Sequence, residues 1–206
     1  MDQIEGFILA GGASRRMGSD KALLRLGGQT FVQRIAKELS RFSSKVNVVG
    51  RTRDDLGLDL PTIPDIYEKW GALGGLHAAL TACRTEWAAI VACDLPFVTA
   101  ELVARLFGLR EGFDAVVPVQ RDGIPQPLCA VYKTSECLSK AEFLIKAGER
   151  RPAALLQSVR TRWVTFEELQ DLRDAELFFD NINSPEDYYL ATQKGGRIGN
   201  PKDELT

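Results

Sequence analysis

Residues 11–21, GGASRRMGSDK, put small side chains and three basic groups into one short segment. Backbone N–H groups left uncovered by glycine and alanine can approach phosphate oxygens closely, and Arg15, Arg16 and Lys21 add positive charge, a combination suited to a triphosphate. It is not a Walker A loop: five residues separate Gly12 from Gly18 rather than the four of that motif, and Ser19-Asp20 follows where the motif has Lys-Ser or Lys-Thr. Nor does it match G-x-G-x-x-G. Asp94 supplies the opposite charge. It follows the seven-residue apolar run from Trp87 to Cys93, and a carboxylate at the end of a buried strand is costly unless it turns into a cleft and meets a cation or donors. Mg2+ is the natural cation, because it takes oxygen ligands and binds through one or two carboxylates together with substrate phosphates; taken alone, an Asp before Leu-Pro reads equally as a turn or helix-cap residue.

Other candidates are less specific. Asp65 closes an extended segment after Pro64 and can either touch a nucleotide base or sugar or simply form a turn. The cluster from Gly71 to Gly75 either lets the backbone approach a flat base or packs tightly. His77, the single histidine, falls in the helix expected after that cluster and reads as a packing or surface group. The four cysteines, at 83, 93, 129 and 137, contain no C-x-x-C pair, so neither a zinc framework nor a disulfide scaffold is expected and they read as core residues.

These groups need a scaffold that brings them together. The sequence pattern predicts a strand at Gly6–Ala10, a short hairpin about Gly27-Gly28, a helix from Thr30 to Phe42, a strand through Val46, Val48 and Val49, and an extended piece from Pro61 to Asp65. After the glycine cluster come a helix from Leu76 to Cys83, a strand from Trp87 to Cys93, and a helix begun by Thr99 that ends near Leu109. Strands at Asp114–Val119 and Leu128–Lys133 and helices at Thr134–Ala147 and Pro152–Val159 complete the pattern. Alternating strands and helices imply a three-layer, doubly wound α/β fold with a mostly parallel, Rossmann-like sheet, whose ligand sites lie beyond the carboxyl ends of the strands. Three loops fit that position: Gly11–Lys21, Gly71–Gly75 and Asp94–Phe97.

At 206 residues, with 45% hydrophobic and 26% charged side chains, the chain suits one folded domain. We read residues 1–193 as that domain, with a nucleotide-binding half at 1–120 and an acceptor-side half at 121–193, and 194–206 as a flexible tail. Lys and Arg number 26 against 28 Asp and Glu, so a nucleic-acid partner is not expected and any anion site must be local. The start, MDQIEGF, is acidic where a secretory signal would be basic, and the longest apolar run is far short of the ~18 residues needed to span a membrane. No membrane association is expected, and the cytoplasm is the default compartment.

The segment LAGGASRRMGSDK, from Leu9 to Lys21, resembles the signature of nucleotidyltransferases that move a nucleoside monophosphate from an NTP to a phosphorylated acceptor. With GALGGL at 71–76, CDLPF at 93–97, QPLCAVY at 126–132 and NINSPEDY at 181–188, the chain is similar to the molybdenum cofactor guanylyltransferases over about residues 5–190. That resemblance implies a nucleotidyltransferase fold, GTP and Mo-molybdopterin as substrates, Mg2+ as cofactor, and molybdoenzymes or their chaperones as further partners. It implies GTP contacts at Leu9, Ala10, Gly11, Gly12, Lys21 and Asp65, a base-side contact at Gly71 and Gly75, and GTP with Mg2+ at Asp94. It also implies acceptor binding at Asn181, Asn183 and Arg151. Lys21, Asp94 and Arg16 are the expected catalytic groups. Three positions depart from the pattern: Ala72 for a frequent proline, Ser184 for threonine, and Gly50 where some members carry an asparagine that contacts the nucleotide.

The implied chemistry fits these residues. An acceptor phosphate is already anionic near neutral pH and needs no enzyme base, so catalysis would be positioning and charge neutralisation. Two other readings stand beside this one: a cytidylyl- or uridylyltransferase acting on another phosphorylated acceptor, and a non-catalytic GTP-binding maturation adaptor.

Overall fold

A computed structural model describes residues 4–11, 21–50, 59–67 and 69–195. The apolar opening of the chain forms β1 (Ile4–Leu9), buried at every residue. Phe7 and Leu9 face one core while Ile4 and Ile8 face another, the alternation of a strand covered on both faces. A hairpin of β2 (Arg25–Leu26) and β3 (Gln29–Thr30) follows. Gly27 and Gly28 both have positive φ, 55° and 84°, which this tight turn requires. Thr30 then starts α1 (Phe31–Ser40) through a capping box: its hydroxyl accepts from the Gln33 amide at 3.2 Å, and its own amide donates to Gln33 Oε1 at 2.7 Å.

The chain continues through β4 (Lys45–Val49), β5 (Thr62–Ile63), α2 (Gly71–Ala82), β6 (Trp87–Ala92) and α3 (Ala100–Gly108), which is capped by Thr99. Next come β7 (Ala115–Pro118), β8 (Cys129–Lys133), α4 (Thr134–Lys146), α5 (Pro152–Ser158), β9 (Thr161–Val164) and α6 (Pro185–Gly195). Seven strands form one sheet in the order β5-β4-β1-β6-β8-β7-β9. Every pairing is parallel except those of β8, which runs antiparallel to β6 and β7. One face packs on α1 and α3, the other on α2, α4 and α5, giving three layers. No helix among the described residues is long and apolar enough to cross a membrane.

The structure corrects several expectations. Gly71–Gly75 is not a loop ahead of a helix but the first turns of α2. Glycine is a poor helix former, yet α2 is buried from Leu73 to Leu80 apart from Gly75, and tertiary packing supplies what propensity lacks. Gly74 is required there, since a Cβ would lie 2.8 Å from Trp70 Cβ. His77 is buried at 3% exposure with its ring edge-on to Tyr67 at 5.0 Å, so of its two expected roles packing holds. β9 and α6 were not anticipated. β9 has only one buried residue among four and so no apolar run, whereas α6 had a readable start in Ser184-Pro185-Glu186-Asp187. The tail expected from Lys194 begins inside α6, where Lys194 pairs with Asp180 at 2.6 Å, and residues 196–206 lie outside the described residues.

Candidate active site

The site is assembled where the parallel strands end. Beyond β1 the Ala10 amide donates to Val49 O at 3.0 Å and the Cys93 amide to Leu9 O at 3.0 Å, so β1, β4 and β6 stay locked together to their last residues. β4 exits through Gly50, whose amide donates to Ile63 O at 2.9 Å and whose φ is +83°. A Cβ on Gly50 would lie 2.7 Å from Gly11 Cα, so the two loops touch backbone to backbone. The Asp65 carboxylate reaches into the same corner, with Oδ2 3.4 Å from where a Gly11 Cβ would stand.

These strand ends enclose a cleft of about 610 Å3. Leu9, Ala10, Gly11 and Lys21 line it, as do Asp65, Gly71, Gly75 and Asp94, so every described residue expected to bind the nucleotide meets in one cavity. Gly12 and Arg16 lie outside the described residues. Gly71 projects no side chain, and a Cβ there would meet nothing within 4 Å, which leaves bare backbone at the cleft wall.

Lys21 opens a short 3-10 turn (Lys21–Leu23). Its Nζ lies 3.9 Å from Asp94 Oδ2 and donates to Asn183 Oδ1 at 2.6 Å, with Lys21 and Asp94 side chains only 17% and 25% exposed. Burial pushes the Asp94 carboxyl above its ordinary pKa, and the neighbouring Lys21 charge opposes that shift. A carboxylate so desolvated, yet facing an open cleft, is a group whose charge a second cation would offset. Among the described residues no group of three or more His, Cys, Asp and Glu forms a ready-made metal cage.

The C-terminal segment is bound to this centre. The Ile182 amide donates to Asp94 O at 3.0 Å. Asp187 Oδ2 accepts from the amides of Asn183 and Ser184 at 2.9 and 2.8 Å, while the Asp187 amide donates to Ser184 Oγ at 3.1 Å, fixing the turn that aims Asn183 at Lys21. Those amide donors, Asn183's foremost, hold the Asp187 carboxyl below the usual carboxylate range. Asn181 instead donates to Phe179 O at 3.4 Å within its own segment. Arg151 does not line the cleft; it forms a two-pronged pair with Glu149, at 3.0 and 2.8 Å, which holds the Glu149 carboxyl down to about 2.

Lys69 was missed by sequence reasoning. It lines the cleft, is exposed, and carries a positive φ of 60°. The signal was faint, one basic residue between Asp65 and the glycine cluster. Leu128 was also missed as a lining residue; it reaches the cleft because β8 is reversed and starts at this edge, where the Ala92 amide donates to Leu128 O at 2.8 Å.

Residues 6–162 match the family model for the MobA-like NTP transferase domain. The chain is 37% identical over 192 residues, 93% of each chain, to a probable molybdenum cofactor guanylyltransferase of Pelotomaculum thermopropionicum. It is 34% identical over 203 residues, 96% of this chain and all of the other, to a molybdenum cofactor guanylyltransferase of Desulfosudis oleivorans. Among solved structures, the molybdopterin-guanine dinucleotide biosynthesis protein A from Archaeoglobus fulgidus aligns with a TM-score of 0.80 at 26% identity, covering 94% of this chain and 99% of that one.

Proposed function

The chain belongs to the MobA-like NTP transferase family, and on that premise we propose that it transfers GMP from GTP to Mo-molybdopterin, forming Mo-molybdopterin guanine dinucleotide and pyrophosphate. The observation that carries this reading is the Lys21–Asp94 pair at 3.9 Å inside the cleft that gathers the nucleotide residues. In the reaction an oxygen of the acceptor's phosphate bonds to the α-phosphorus of GTP as the bond from that phosphorus to the bridging oxygen of the β-phosphate breaks. Pyrophosphate leaves with those electrons.

No side chain need take a proton, so the protein's work is to hold two polyanions in line and offset their charge. Lys21 donates to phosphate oxygens, held in place by Asn183. Arg16 adds charge from the basic segment. The backbone at Ala10 and Gly11 lies against the nucleotide, and Gly71 and Gly75 leave room for its base. Asn181 and Asn183 serve the acceptor side, and Arg151 the approach to it.

Asp94 fits a Mg2+ ion: it is a single desolvated carboxylate facing the cleft, and Mg2+ draws its other ligands from phosphates and water. Bound there, Mg2+ would supply charge neutralisation on the phosphates. The steric reason for Gly50 removes the missing asparagine as an argument for another base, because any side chain there would strike Gly11. Molybdoenzymes or their chaperones are the recipients such a product requires, and the cytoplasm is the compartment that fits them.

Pyrophosphate release with Mg2+ and each NTP in turn, with and without Mo-molybdopterin, tests the reading. Release with GTP alone, and only with the acceptor present, is expected. Release with CTP or UTP would make the protein a different transferase, and GTP binding without release would make it an adaptor.

A further inference from the structure

Two ammonium groups line the cleft among the described residues, and they differ in setting. Lys21 is mostly buried beside Asp94 and tied to Asn183. Lys69 is exposed to the cleft and held by its backbone. Its φ of 60° is uncommon for a side chain of this kind and strains the backbone, so its neighbours must enforce it. Trp70 does so: its indole Nε1 donates to Glu149 O at 2.9 Å, the Arg150 guanidinium lies 4.7 Å from its ring centroid, and its Cβ abuts Gly74. Gly71, also at positive φ (70°), completes the reversal into α2. The strained turn therefore holds Lys69 at the cleft wall next to Gly71.

The two lysines lie at different parts of the cleft. Lys21 sits with Asp94, just past β6, where the proposed reaction puts the phosphates and a cation. Lys69 follows β5 and Asp65, and in the sheet β4 and β1 separate β5 from β6, about 14 Å at the usual strand spacing. Between them the wall is Gly71, Gly75, Leu9 and Val49, bare backbone and apolar side chains suited to a flat ring.

We infer that Lys69 reads the guanine base, its ammonium donating to the O6 and N7 edge; this rests on GTP being the donor, as proposed above. Guanine alone among the common bases offers two adjacent acceptors on that edge, and lysine is one of its preferred partners. Adenine sets an N6 donor beside its N7 acceptor, and cytosine offers an N4 donor; against either amino group an ammonium faces donor with donor.

Equilibrium binding by calorimetry tests this without the acceptor, using GTP, ITP, 7-deaza-GTP and ATP with wild type, Lys69→Met and Lys69→Gly. Lys69→Gly relieves the positive φ while removing the same ammonium, so loss of folding cannot explain a shared effect. Both variants should bind GTP and ITP about 10-fold or more weakly, because both nucleotides keep O6 and N7. ATP binding should be unchanged. The penalty that wild type shows for 7-deaza-GTP, which lacks N7, should shrink in the variants. Unchanged GTP affinity would overturn the inference, as would equal losses for GTP and ATP, which would move Lys69 to the phosphates. Guanine-selective binding that depends on Lys69 but comes with no transfer would uphold this inference and defeat only the proposed reaction.

Discussion

The sheet has two unlike sides. From β5 to β6 four parallel strands deliver their carboxyl ends to one edge, and each contributes to the cleft or its wall: Asp65 after β5, Gly50 after β4, Ala10 and Gly11 after β1, Asp94 after β6. From β8 to β9 the reversed strand breaks that series, and the described cleft gains only Leu128. The strongest link from the second side to the centre is not a strand end but the 181–187 turn, which reaches Asp94 by backbone and Lys21 by Asn183. Parallel strands converge by geometry, whereas the C-terminal half must be docked by specific hydrogen bonds. On the proposed function the first side carries the nucleotide chemistry, and the second holds Lys21 in register through Asn183 and serves the acceptor.

Variants can break that division. Asp94→Asn or Lys21→Ala should lower turnover at least about 100-fold with the fold intact, because each removes charge at the reacting phosphates; near-wild-type rates in either would refute the assignment. Asn183→Ala removes the hydrogen bond to a charged partner at 2.6 Å and should lower kcat about 10-fold, with GTP affinity little changed. A fall in GTP affinity alone would put Asn183 on the nucleotide side instead.

Gly50→Asn sharpens the steric part of the comparison. A side chain at φ +83° that also strikes Gly11 should cost about 2 kcal/mol and lower Tm by about 6 °C; an unchanged Tm with tighter nucleotide binding would show that the corner can open. Asp94→Asn should also raise the Tm of the ligand-free protein at neutral pH. The Asp94 carboxyl pKa is raised by folding, so the fold bears a cost where the group is ionised in both states, and that cost fades as pH falls through the raised folded value toward the ordinary aspartate value. The Tm gain should shrink as the pH is lowered across that window. Asp171→Asn, which removes an exposed partner of Arg105 on the second side, should leave both turnover and Tm nearly unchanged.

The first side was largely readable because its signals are local. Apolar runs such as Trp87–Ala92 declare buried strands, and Leu9, Ala10, Gly11 and Lys21, at the two ends of the glycine-rich basic segment, line the cleft. The start of α2 was not readable, since tertiary packing, with Leu73 to Leu80 buried apart from Gly75 and Gly74 set close against Trp70, keeps glycines helical there. The reversal of β8 leaves no local mark, because an apolar strand reads the same in either direction. Lys69 depends on a backbone conformation imposed by Trp70 and Glu149, and the Lys21–Asn183 contact joins opposite ends of the chain. Arg151 was legible as a basic group but not as the partner of Glu149.

The most direct test follows the α-phosphorus. With Mo-molybdopterin, Mg2+ and GTP labelled at that atom, the account predicts that the label passes into the guanine dinucleotide product and that none appears in pyrophosphate, with Asp94→Asn suppressing the transfer. Label remaining in unreacted GTP or emerging as free GMP, with no dinucleotide formed, would contradict it.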